Sequence, residues 1–143
     1  MADTEADVER LCTQLAFRYA RATDLGDAAA AGTCFTEDGQ LHMPGGRSFQ
    51  GRSAIAQRIA EQPPDQVSRH VLTNICIEVP SPGRATGTLT LTMYRAKRTQ
   101  PSGPLPLEGP ALVGEYQDEY RLTPQGWRIA SRRLTTIFRR SGA

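Results

Sequence analysis

The chain has 143 residues and a formal net charge of +2, which suits one domain, residues 1–143, built round one hydrophobic core. So small a cationic excess, with arginines dispersed except near the C-terminus, leaves no electrostatic footprint for nucleic acid. No apolar run is long enough to span a membrane, and the acidic start lacks the apolar region of a signal peptide, so a cytoplasmic location without membrane contact is expected.

The first helix is expected over Thr4 to Leu25. Thr4 precedes Asp7 by three residues, a relative of the capping box. Val8, Leu11, Cys12, Leu15, Tyr19 and Ala22 recur at helical spacing as one apolar stripe. Thr13, Phe17, Ala20 and Asp24 form a second stripe, so the helix should be wedged into a crevice. Tyr19 and Asp24 then share one hollow only if the helix is embedded or distorted near its end. Gly26 stops the helix, and Asp27 caps a short one, Ala28 to Phe35. Thr36-Glu37-Asp38-Gly39 reads as a turn, and Gln40 to Met43 as a short strand ended by Pro44-Gly45-Gly46. His42 in that strand suits a rim or structural role. Gly51-Arg52-Ser53 opens a third helix, with Ser53 the candidate cap, Ile55 and Ile59 its buried side, and Pro63-Pro64 its end.

The stretch Arg69 to Val79 alternates as a strand. Val71, Thr73, Ile75, Ile77 and Val79 share one parity, and His70, Leu72, Asn74, Cys76 and Glu78 the other, so His70 and Asn74 should face the same way. A histidine and an amide on one concave face read either as catalytic groups or as satisfied polar residues at a strand end. Ala85 to Lys97 is a long strand in which Leu89, Leu91 and Met93 alternate with Thr88, Thr90, Thr92 and Tyr94. Thr99 to Pro110, with four prolines and two glycines, is a loop: a plain hairpin connection, a lid or a subunit contact. Leu112 to Leu122 is a strand with Tyr116, Asp118 and Tyr120 on one face. Trp127 to Phe138 is the last strand, with Trp127 in the core. Asp118 and Arg132 suit a cross-strand ion pair, while Arg132, Arg133, Arg139 and Arg140 suit a solvated edge. Cys12, Cys34 and Cys76 lack metal-ligand spacing and read as reduced, buried thiols. Helices segregated to one face of an antiparallel sheet make an α+β domain, with a hollow where the sheet curves.

The run Tyr19-Ala-Arg-Ala-Thr-Asp24-Leu-Gly-Asp27, then Phe35-Thr-Glu-Asp38-Gly39, Gly51-Arg-Ser-Ala-Ile55, Arg69-His70 with Asn74, and Gly126-Trp127-Arg-Ile129 resembles the SnoaL-like branch of the NTF2-like superfamily. The likeness rests on order and spacing over nearly the whole chain. It implies a cone-shaped α+β barrel, in which a strongly curved antiparallel sheet and three helices enclose a pocket, commonly as a dimer or trimer. The fold is similar to that of scytalone dehydratase, bile-acid dehydratase, polyketide cyclases and steroid isomerase. In the two dehydratases the helix-one aspartate falls on Asp24 and the pocket histidine on His70, and the bile-acid enzyme's tyrosine falls on Tyr19. Scytalone dehydratase has a second pocket histidine where this chain reads Met93-Tyr94-Arg95-Ala96.

A carboxylate that holds one imidazole nitrogen leaves the other free to move a substrate proton, with no metal or cofactor. Asp24 sits at a helix C-terminus, where the helix dipole disfavours a carboxylate, and this points to a purpose beyond solvation. The expectation is a cofactor-independent dehydratase, isomerase or cyclase acting on a small or medium apolar oxygenated molecule such as a polyketide or steroid-like compound. Asp24 and His70 would be catalytic, and Tyr19, Asn74, Tyr94 and Tyr116 would contact substrate. The alternatives are a non-catalytic ligand-binding or oligomerisation module and the small subunit of a ring-hydroxylating oxygenase.

Overall fold

A computed structural model describes residues 1–142. The elements run α1 (Glu5–Leu25), α2 (Ala28–Thr33), β1 (Phe35–Met43), β2 (Arg47–Gln50), α3 (Arg52–Ala60), β3 (Gln66–Ser81), β4 (Arg84–Lys97), β5 (Leu112–Thr123) and β6 (Gly126–Arg139). The strands form one curved, unclosed sheet in the order β2-β1-β6-β5-β4-β3. Every neighbouring pair is antiparallel except β1 and β6, which run parallel. The expected antiparallel sheet is therefore mixed.

Capping chemistry sets α1 as expected. The Thr4 hydroxyl accepts from the Asp7 N–H at 3.1 Å, and the Asp7 carboxylate accepts from the Thr4 N–H at 3.1 Å, which satisfies two end donors. Gly26 closes the helix at φ 68°, a left-handed value that glycine reaches without strain. The Asp27 side chain accepts from Ala30 N at 3.1 Å and starts α2. The third cap differs from expectation: Gly51, at φ 88° and with no side-chain bond, stands where Ser53 was expected.

The expected turn at residues 36–39 is part of β1. Its turn-forming composition produces an irregular stretch, since the β1–β6 register shifts between Phe35 and Gln40. At Gly39 an added Cβ would lie 2.9 Å from the Phe35 Cβ, so only glycine lets the backbone fold this close. Pro44-Gly45-Gly46 then connects to β2, which pairs back on β1 and was not anticipated.

The apolar stripe of α1 packs Val8, Cys12, Leu15 and Tyr19 onto Phe35, Tyr120, Trp127 and Ile129, and Ile55 and Ile59 of α3 complete this core. A second cluster joins Ala16 to Leu89, Leu91, Met93, Tyr116 and Leu134 on the sheet. Phe17, in the second stripe, is exposed, whereas Ala20 is buried, so α1 is embedded on one side only. The Trp127 indole N–H donates to Asp3 at 3.1 Å and ties down the chain start. Among the described residues no helix is long and apolar enough to cross a membrane.

Cys12 and Cys34 are buried, as expected, but Cys76 is exposed. Burial pushes the Cys12 thiol up to about 12 and raises Cys34, which suppresses their reactive thiolates. A disulfide-exchange dye at pH 8 should therefore label one thiol promptly in the native protein and three in denaturant. Prompt labelling of two or more would contradict this burial.

Candidate functional site

His70 and Asp24, 46 residues apart in sequence, meet where β3 passes the C-terminal turn of α1. The His70 Nδ1–H donates to Asp24 Oδ1 at 2.5 Å, and the His70 backbone N–H donates to Oδ2 at 3.1 Å. An ionised carboxylate only accepts, so it fixes the ring proton on Nδ1 and leaves Nε2 with a free lone pair. The two side chains keep 10 % and 9 % exposure, so the pair is largely withdrawn from water. The carboxylate's unfavourable place at a helix C-terminus is offset by these two bonds.

His70 also lines a cavity of about 490 Å³ between helices and sheet. Asp24 lies behind it, against a shallower recess that His70 shares with Phe17 and Arg69. The cavity's apolar walls come from Leu41, Met43, Leu91, Met93, Leu112 and Leu134, and Tyr19, Tyr116 and Thr136 add hydroxyls. Burial raises both tyrosine phenols above their ordinary range, so each is a neutral donor. Tyr19 is held edge-on to Phe35, with ring centres 5.3 Å apart. The nearby Thr23 hydroxyl also lines the cavity and makes no hydrogen bond of good geometry.

The structure does not bring Asn74 and Tyr94 into this group. Asn74 has φ 50°, and the β3–β4 register slips between Thr73 and Cys76, so two residues of β3 oppose one of β4. This bulge reverses the alternation. Leu72 and Ile75 both pack against the inner cluster, while Asn74 is exposed. Asparagine tolerates the left-handed region better than most residues, and the period-two expectation took no account of that. Tyr94 follows the parity of Thr88, Thr90 and Thr92 and lies on the outer face, beside Gly103, Pro104 and Leu107 of the long loop. None of residues 99–110 lines the cavity. His42 is occupied by Ser48 at 3.0 Å and Gln40 at 3.2 Å, a structural role.

Arg132 is not on a solvated edge. It is fully buried and grips Asp118 through two bonds, Nε to Oδ1 at 2.7 Å and Nη2 to Oδ2 at 2.6 Å. The Tyr120 hydroxyl donates to the same carboxylate at 2.6 Å. The guanidinium lies over Tyr116 at 4.0 Å and Tyr19 at 5.0 Å, so the ion pair braces two cavity walls from behind. Arg133 and Arg139 are exposed as expected, and Arg139 and Arg140 reach the cavity mouth.

Two further cavity residues, Arg58 and Arg95, had no place in the sequence-based site. Arg95 was legible: it continues the inward parity of Leu89, Leu91 and Met93. Arg58 lies one turn after Ile55 on α3.

A helix-backed curved sheet round a hollow, with a histidine oriented by a carboxylate on its wall, defines a small pocket-forming α+β domain. The SnoaL-like domain matches the chain over residues 4–133, and the chain belongs to that family, within the NTF2-like superfamily. Solved structures agree on the fold. One is a variant of a protein of unknown function from Mycobacterium tuberculosis, with 28% identity, TM-score 0.73, and coverage of 87% of this chain and 69% of that one. Another is an NTF2-like protein with a cystatin-like fold from Novosphingobium aromaticivorans, with 25% identity, TM-score 0.75, and coverage of 94% and 82%. A protein proposed to be a scytalone dehydratase, from the same organism, shares the fold at 20% identity and TM-score 0.78, covering 94% and 87%. No curated protein matches the chain.

Proposed function

We propose that the chain, acting as one domain, is an acid–base catalyst that removes water from, or isomerises, an oxygenated molecule held in the cavity. The observation that carries this reading is the His70–Asp24 pair: one ring nitrogen is held at 2.5 Å by a carboxylate, and the ring lines the hollow. In a dehydration, His70 Nε2 takes a proton from the carbon next to a carbonyl. The electron pair moves to the carbonyl oxygen, near the Tyr19 and Tyr116 phenols. It returns to form the C=C bond as the β-hydroxyl leaves, protonated by the imidazolium. The products are a conjugated enone and water, and His70 ends neutral. Stopping after the first proton transfer and returning the proton elsewhere gives an isomerase instead. Asp24 orients the ring and stabilises its cationic form.

A panel of fused-ring β-hydroxy ketones tests this, followed by the ultraviolet absorption of the enone. Wild type should accelerate elimination of at least one, and His70→Gln should reduce that rate by roughly 100-fold or more. Full activity in the variant, or no acceleration by wild type across the panel, removes the reading.

A further inference from the structure

Five arginines line the cavity, namely Arg47, Arg58, Arg95, Arg139 and Arg140, and no aspartate or glutamate does. Arg47 and Arg139 are exposed, where a solvated cation needs no partner, and Arg140, though half-buried, donates to the Gly109 carbonyl oxygen at 3.3 Å. Arg58 and Arg95 are different. Both are half-buried, they come from different elements, α3 and β4, and neither has an ion-pair partner among the described residues. Arg95 Nε donates to Ser68 Oγ at 3.0 Å, which aims the side chain while its two terminal nitrogens keep their donors free. Among the described residues Arg58 has no hydrogen-bond partner, and it lies over the Phe49 ring at 5.7 Å. Burial, and after it the Arg58 charge, lowers Arg95 below the usual arginine range; the Asp24 carboxylate opposes this. Two guanidinium groups thus repel each other in a recess whose acidic neighbour, Asp24, is already bonded to His70. A cation withdrawn from water without a counter-ion is costly, and the arrangement gains stability only when an anion enters.

We infer that the cavity's ligand carries a carboxylate, and that Arg58 and Arg95 clamp it on the wall near His70. The planar guanidinium fork presents parallel donors that match carboxylate geometry. The apolar floor of Leu91, Met93 and Leu134 would hold the hydrocarbon body. This rests on the cavity being the substrate site and narrows the substrate class from a neutral oxygenated molecule to an oxygenated acid. The clamp would also fix which carbon of that acid lies against His70 Nε2.

Binding alone tests it. Calorimetric titration should compare 2-naphthoate with 2-naphthamide, which differ by little more than the charge. Wild type should bind the acid about 10- to 100-fold more tightly, the range expected for charged hydrogen bonds. Arg58→Met and Arg95→Met should each remove most of that preference and weaken the amide far less than the acid. Arg95→Lys should retain part of it, with melting curves checking that every variant is folded. The double variant Arg139→Gln/Arg140→Gln should keep the preference. Equal affinity for acid and amide in wild type, no binding of the acid, or a preference that survives both methionine variants overturns the clamp. Because turnover is not the readout, an acid preference that persists in a protein without elimination activity supports the clamp while the catalytic reading falls.

Discussion

Replacing Arg132 with methionine is expected to destabilise the fold by about 3–5 kcal/mol, the usual result of removing one partner from a buried ion pair. For a chain of 143 residues that is a fall in Tm of roughly 10 °C or more. Asp118 would keep its place, fully buried, with the Tyr120 hydroxyl as its remaining side-chain partner. Burial lowers the affinity of Arg132 for its proton, but the Asp118 charge and hydrogen bonds more than reverse this, so its value lies above the ordinary one. A base whose folded value is raised contributes its stability fully below the unfolded value, and loses it only as pH climbs through the folded one. The stability gap between wild type and variant should therefore stay flat from neutral pH to about pH 10, well below arginine's ordinary value. The double variant Asp118→Leu/Arg132→Met should lose less than Arg132→Met alone, because no charge is left buried. Urea titration measures both quantities. A loss under about 1 kcal/mol for the single variant would place the pair with surface salt bridges and contradict its burial.

Asp24→Asn should cost about 100- to 10,000-fold in elimination rate, while the melting temperature stays near wild type. An amide oxygen still accepts from the His70 backbone N–H, so β3 and the end of α1 remain tied. The negative charge is lost, and the imidazolium formed during proton transfer has nothing to stabilise it. The amide can also donate to Nδ1, which permits the wrong ring tautomer. Nitrogen NMR of the imidazole should find the proton on Nδ1 in wild type and a mixture in the variant. A variant with full rate and an unchanged tautomer would show that the carboxylate is a structural tether alone. Loss of rate together with unfolding is a different result, so melting curves accompany the kinetics.

Local chemistry made much of this legible from sequence. Thr4 with Asp7, Gly26 and Asp27 each act within four residues, and the helix ends lie where those side chains put them. Asp24 was legible as a carboxylate in an unfavourable place, and His70 as an inward-facing ring on a strand. What remained hidden depends on distant chain or on broken periods. The β1 strand was obscured because residues 36–39 read as a turn when taken alone, whereas the strand is set by its flanks, Phe35 and Gln40 to His42, which pair with β6 some 90 residues on. Asn74 was misplaced because one residue in the left-handed region changes the side every later residue faces. The cross-strand pairing of Arg132 with Asp118 was legible, but its burial was not, because the two tyrosines that enclose it come from distant chain. Tyr94 shares the parity of the outward threonines, so the alternation itself puts it outside the pocket, and it puts Arg95 inside.

The bulge at Asn74 also divides β3 into two independent reading frames. Upstream of it Ser68, His70 and Leu72 face inward, and downstream Ile75, Ile77 and Val79 do. A change in the packing of the second group need not re-aim the first, because the irregular step between them absorbs the mismatch. The long strand can thus vary the packing of Ile75, Ile77 and Val79 while the imidazole keeps its place against Asp24.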